Sequence, residues 1–247
     1  MREAELHAER EAHVLFQAST IGALLAGAYD GDLSFAELAG HGDLGLGTLN
    51  GLDGEMIALD GRFYRAGVDG AVSEIGAERR TPFAVVTRFA PSVDAELAGP
   101  LDHESLLASI DEMVPAAAVS CAIRIDGRFD SVRARSVPRQ HPPYRPLTEV
   151  VAGQHVFELA GVEGTMLGFR FPAYAEGIEV SGYHLHFISE DRSRGGHVLG
   201  SRAAGPLRVR LDPSSELHVE LPPGIELADP ELAAATHDAV ERVERSG

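Results

Sequence analysis

The chain has 247 residues, 44% of them apolar, which is enough to core one large domain or two small intimate ones. Its formal net charge of −17 argues against binding nucleic acid, which depends on neutralising phosphates with a basic surface, and disfavours anionic membranes. All 21 basic side chains are arginine, so there is no lysine for a Schiff base, a pyridoxal anchor or a phosphate loop.

The charged start "MREAELHAEREAH" has no apolar secretory core, and no apolar run approaches the ~20 residues that cross a bilayer. A soluble cytoplasmic protein is expected. Order begins at "VLFQASTIGALLAGAYDG", whose spacing fits strand and helix equally. The next region, "SFAELAGHGDLGLGTLNGLDGEMIALDGRFYRAG", reads as glycine turns and short strands, with Asp60-Gly61 as a hairpin turn between "EMIAL" and "RFYRA". "TPFAVVTRF" is a further strand. "DHESLLASIDEMV" has helical spacing, with Asp102 as N-cap and Leu106, Leu107, Ile110 and Met113 on one side. Strands return at "AVSCAIRIDGRFDSVRARSV". They dominate after the proline-rich "PRQHPPYRPL", where a domain boundary is placed, as "HVFEL", "GTMLGFR", "YHLHFI", "GHVLG", "RVRL" and "ELHVEL". "DPELAAATHDAVERVERSG" reads as a terminal helix with Asp229 as N-cap and Pro230 at its first position. The single cysteine, Cys121, lies in an apolar strand and reads as a buried, inert thiol.

"GYHLHFISEDRSRGGHVLG" concentrates the chemistry. Alternation puts His184 and His186 on one strand face and Tyr183, Leu185 and Phe187 on the other. If "SEDRSRGG" is a hairpin loop, a return strand from about Gly196 sets His197 opposite His186, with Cβ atoms ~5 Å apart. Three neutral imidazoles meeting at one point suit a zinc ion with open positions, as in catalytic sites, and one cysteine cannot make a closed thiolate site. Without lysine, any decarboxylase or aldolase chemistry has to use a metal. His7, His13, His41, His103, His141 and His237 read as solvated, and His155 and His218 have no partner spacing.

Glu55 opens a strand on the face of Ile57 and Leu59, so it is either a solvated strand end or a buried group held for a metal or proton. Gly45 and Gly47 do not make a dinucleotide fingerprint, because Asn50 takes the third glycine position and a hairpin follows. In "RFDSVRARSVPRQ", Arg133 and Arg135 share a strand face, and an arginine directed into a pocket suits a carboxylate.

Together "TLNGLDGEMIALDG", "TPFAVVTRF", "CAIRIDGRF", "VEGTMLGFRFPAYAEGI" and the histidine segment resemble the α-acetolactate decarboxylase family over roughly residues 14 to 245. The resemblance implies a strand-rich α/β (α+β) chain of two domains: an N-terminal mixed sheet, 14–145, and a C-terminal β-barrel-like domain, 146–247. It implies zinc in the cleft between them, on His184, His186 and His197, and a homodimer. It places the family's active-site arginine on Arg135, its N-terminal glutamate on Glu55, a cleft threonine on Thr48, and a terminal glutamate on Glu244, with Glu241 as the alternative. The reaction implied is 2-acetolactate to (R)-acetoin and carbon dioxide, through a metal-stabilised enediolate, in the acetoin and butanediol pathway. The other readings are a zinc hydrolase using the same histidines and a non-enzymatic β-rich ligand-binding module. Carbon dioxide release separates the first from the decarboxylase; tight binding without metal marks the second.

Overall fold

The computed structural model describes residues 13–116, 119–214 and 216–221. Strand β1 (Val14–Ala18) is followed at once by the one-turn helix α1 (Ile21–Leu25), so the ambiguous opening segment is both strand and helix. The switch is set by Thr20, whose side chain accepts from the Ala23 N–H and caps the helix. After β2 (Leu33–Ser34), "FAEL" forms α2 (Phe35–Leu38) where turns and strands were expected. Ser34 and Glu37 make a reciprocal capping box, which two residue types at that spacing encode locally.

Strands β3 (Leu44–Thr48), β4 (Glu55–Leu59), β5 (Arg62–Ala66), β6 (Val72–Glu74), β7 (Arg80–Thr81), β8 (Ala84–Thr87) and β9 (Val93–Leu97) follow. The β4–β5 hairpin turns at Asp60-Gly61 as expected, with both residues at positive φ (53° and 75°), the backbone of a two-residue hairpin turn. Helix α3 (His103–Met113) is capped by Asp102, which accepts from the Ser105 N–H, and buries Leu106 and Ile110. The later strands are β10 (Ser120–Ser136), β11 (His155–Phe171), β12 (Gly182–Ser189), β13 (Gly195–Ser214) and β14 (Glu216–Glu220), with α4 (Leu147–Val151) between β10 and β11; β11 joins "HVFEL" to "GTMLGFR" and β13 joins "GHVLG" to "RVRL" in single strands. Internal glycines do not end β10 and β11: Gly127, Gly164 and Gly168 each pair with a strand on both sides.

A seven-stranded mixed sheet runs β14-β1-β8-β3-β4-β5-β6, with β14 parallel to β1; a five-stranded sheet runs β10-β11-β12-β13-β9, and β10 also pairs with β13. Strands cross the proline-rich segment in both directions. β9 and β10 precede it and lie in the five-stranded sheet, whereas β14 follows it and joins the seven-stranded one. The chain is a strand-rich α+β fold.

The largest core cluster is the layer between the sheets. It joins Leu44, Leu46, Ile57 and Leu59 of the first sheet to Leu167, Phe169, Phe171 and Ile188 of the second. Alternation then decides which polar residues enter that layer. Thr48 shares the face of Leu44 and Leu46, Glu55 that of Ile57 and Leu59, and His184 and His186 that of Ile188. Met56 and Ala58 turn the other way, to the cluster containing Phe35 and Leu38 of α2, while Leu185 and Phe187 fill the core of the second sheet with α3. Gly168 permits close packing at the site, because a Cβ there would lie 2.0 Å from the His184 carbonyl oxygen.

Candidate metal centre and active site

His186 and His197 face each other directly across β12 and β13, as the hairpin spacing predicted, and β13 begins at Gly195. His184 lies two residues before His186 on the same face. The three rings sit with centroids 5.1 to 5.4 Å apart, and one ligand atom from each lies within 4.8 Å of the others. All three residues are buried.

Their protonation is set by that burial. His184 is driven down to about 3 by desolvation, with the charge of Arg135 adding to it. His186 is held well below the usual imidazole range by desolvation, then by His184, against the favourable bond to the Met56 carbonyl. Both are neutral, the state that binds metal. His186 Nδ1 donates to the Met56 oxygen at 2.8 Å, which orients the ring and leaves Nε2 with its lone pair. That Nε2 and the Nδ1 of His184 are buried with no hydrogen-bond partner. Leaving such atoms unmet costs about 1–3 kcal/mol each; a cation shared by the rings removes the deficit. The residues present therefore fit a metal of the kind that nitrogen donors prefer.

Around the imidazoles the two sheets bring in the remaining candidates. A pocket enclosing about 460 Å³ of space, part of it open to solvent, is lined by Thr48, Glu55, Arg135, His184 and His197 among others. Glu55 Oε2 is 3.6 Å from His186 Nε2, so the carboxylate stands at the rim of the imidazole cluster, and Glu55 is buried rather than a solvated strand end. Thr48 pairs with Glu55 across β3 and β4 and donates its hydroxyl to the Gly54 carbonyl at 2.9 Å. Arg135 pairs with His197 across β10 and β13 and is only 5% exposed, whereas Arg133 is exposed. Sharing a strand face does not give the two arginines one environment: the pairing with β13 shifts register between Arg133 and Ala134, and only the strand's end reaches the pocket. Glu241, Glu244 and the predicted terminal helix lie outside the described residues, as do His7 and His237.

Among the other histidines, His41 stacks on Phe16, His13 pairs with Asp212, and His141, His155 and His218 are exposed. His103 is not simply solvated: it is partly buried and bonds to Ser201 at 3.0 Å. Cys121 is fully buried, and desolvation pushes its thiol up to about 12, so it is inert.

One contributor escaped the sequence reading. Asp53, two residues before Glu55, is gripped by Arg65, which bonds to its carbonyl at 2.6 Å and its carboxylate at 2.7 Å, and by Arg79 at 2.8 Å. Its signal was the acidic residue in "LDGEM", but the arginines come from elsewhere in the chain, and no local spacing announces them.

Fold and site together define a class: a strand-rich α+β protein with three buried imidazoles that could hold a metal, beside a small pocket with one polar and one apolar side. A sequence model of the alpha-acetolactate decarboxylase family matches residues 15–233. The alpha-acetolactate decarboxylase of Methylococcus capsulatus is 46% identical over 95% of this chain and 90% of its own, and that of Methanosarcina mazei is 44% identical over 94% and 80%. The crystal structure of the Bacillus subtilis alpha-acetolactate decarboxylase superposes with a TM-score of 0.88 at 38% identity, covering 94% of this chain and 99% of that one. A Staphylococcus aureus protein described as similar to alpha-acetolactate decarboxylase reaches 0.86 at 30% identity, covering 95% and 100%. The chain belongs to the alpha-acetolactate decarboxylase family, and it is an enzyme of the carboxy-lyase class.

Proposed function

We propose that this enzyme converts 2-acetolactate to (R)-acetoin and carbon dioxide with the help of a zinc ion on His184, His186 and His197. The observation that carries the reading is the convergence of three buried imidazoles, two with unmet nitrogens, beside a pocket that also holds Arg135 and Glu55. Zinc is preferred to magnesium or calcium because the donors are nitrogen. When bound it supplies Lewis-acid polarisation of the substrate's oxygens and stabilises negative charge as carbon dioxide departs.

The chain's own residues do the rest. Arg135, itself only 5% exposed, presents a planar fork of donors that orients the substrate anion in the pocket. Breakage of the bond to the carboxylate leaves its electron pair on the remaining fragment as an enediolate, and one proton must then reach one face of the former carboxylate-bearing carbon. Glu55, at the rim of the cluster, is the candidate to take the hydroxyl proton or to return it to carbon. Thr48 tethers the turn before Glu55 and so holds that carboxylate in register. Glu244, with Glu241 as the alternative, is proposed to complete the site from the C-terminus. The domain division at 145/146, a homodimer and a cytoplasmic location belong to the same reading; among the described residues no helix is long and apolar enough to cross a membrane.

The test is elemental analysis of protein purified without added metal, coupled to carbon dioxide release and chiral analysis of the acetoin formed. Zinc near one equivalent per chain, lost together with turnover in His186→Ala, is the expected result. Full activity in metal-free protein would sink the reading. Truncation after Ala239 should keep metal and fold while acetoin formation drops at least about tenfold, the scale of one lost acid–base or positioning group.

A further inference from the structure

Only part of the pocket is chemical. The remainder of its wall is Ile21, Leu24, Leu52, Phe83, Val137 and Leu147, all buried and without a polar side-chain atom. Nothing on that wall can bind a carboxylate, hydroxyl or ketone, so those groups must turn to Arg135, Thr48, Glu55 and the imidazoles. The substrate's alkyl groups are left with the aliphatic side.

That wall has an unusual origin. Ile21 and Leu24 lie three residues apart on α1, hence on one helical face, and Leu147 opens α4, which packs against α1. Both are one-turn helices outside the sheets that carry the polar groups. Their side chains belong to the apolar layer between the sheets, and three hydrogen bonds that do not involve Leu24 or Leu147 also hold the segment: Ile21 N–H donates to the Ile178 carbonyl at 2.9 Å, Gly22 N–H to the Gly177 carbonyl at 3.3 Å, and the Tyr29 hydroxyl to the Arg145 carbonyl at 2.8 Å, just before α4. A change of size at Leu24 or Leu147 leaves those three bonds in place and does not touch β12 and β13, which carry the imidazoles.

We infer that Leu24 and Leu147 are specificity-determining residues that set the largest alkyl substituent the enzyme accepts on a 2-hydroxy-3-keto acid. The inference rests on the decarboxylase reading above. In a packed apolar pocket a single methylene changes kcat/KM by about 10- to 200-fold, so one leucine on this wall is enough to separate methyl from ethyl substrates.

The experiment compares kcat/KM for 2-acetolactate and for its homologue with ethyl in place of methyl on the hydroxyl-bearing carbon. In Leu147→Ala and Leu24→Ala the ethyl-to-methyl ratio should rise by about tenfold or more, with metal content unchanged; Leu147→Phe should lower it. Leu147→Val, a milder change, should move the ratio the same way by less if the alanine variant folds poorly. Val150→Ala is the control, since Val150 is equally buried on α4 but does not line the pocket; its ratio should stay at the wild-type value. Affinities for non-reacting 2-hydroxy acids lacking the ketone should follow the same order. A wild type active on 2-acetolactate, with ratios in Leu147→Ala and Leu24→Ala no different from Val150→Ala, overturns the inference alone. A wild type inactive on both keto acids overturns the decarboxylase reading, and the inference with it.

Discussion

Arg135 is the side chain where charge and shape can be separated most cleanly. Lysine keeps the positive charge but replaces a planar, five-donor fork with a compact ammonium on a flexible stem. Arg135→Lys is expected to lower turnover by about tenfold to thousandfold, the range for loss of one preorganised donor, while the metal stays bound. Steady-state kinetics with metal analysis of the same preparation checks this. Undiminished turnover would shift the role to Arg133 or Arg139, although both are exposed. Burial is what distinguishes them: at 5% exposure Arg135 has little water to compete with a substrate carboxylate for its donors.

At the scale of the element, the β3–β4 connection is what delivers Glu55 to the imidazoles, and Asp53 is its clasp. Burial opposes ionisation of Asp53, but hydrogen bonds from Arg79 and Arg65, with their charges, outweigh it and hold the carboxyl below its usual range. A carboxylate with a depressed folded-state pKa contributes stability that is fully present above the unfolded value and is lost as pH falls through the folded one. Asp53→Asn should therefore cost about 1–3 kcal/mol near neutrality, with the difference closing in acid. Urea unfolding at neutral pH and in acid reads both. Turnover should fall more than metal content, since the three imidazoles lie on β12 and β13 and meet the clasped segment only through the His186–Met56 bond and the Glu55 carboxylate. A variant as stable and active as the parent would show the two arginines to be surface decoration.

For the whole molecule, the imidazole cluster is a seam between sheets. Its imidazoles come from the five-stranded sheet, yet His186 is oriented by the Met56 carbonyl and faced by Glu55, both on β4 of the seven-stranded one. A ligand that binds only the folded chain stabilises it by about 2.7 kcal/mol at a hundredfold excess over its Kd. For a chain of this size that corresponds to roughly 5–10 °C in Tm. Removing metal with a chelator should lower Tm by that amount, and adding zinc back should restore it; an unchanged Tm would mean that the imidazoles hold no ion in the folded protein.

Much of this could be read locally because its causes are local. Strand alternation and a turn-forming loop put His184, His186 and His197 together, Asp60-Gly61 made its hairpin, and Asp102 capped its helix, each from neighbours within a few residues. Where local signals were equivocal or misread, long-range pairing or a nearby cap decided. Thr20 turned the opening segment from strand to helix, and neighbouring strands on both sides carried β10 and β11 through Gly127, Gly164 and Gly168. Only tertiary packing determined that Glu55 is buried beside His186, that Arg135 reaches the pocket while Arg133 does not, that Asp53 gathers Arg65 and Arg79, and that Leu24 and Leu147 close the cavity. The reason is physical. Face and turn follow from a strand's own period, but what that face meets depends on which sheet docks on it, and the apolar layer between the two sheets makes that choice.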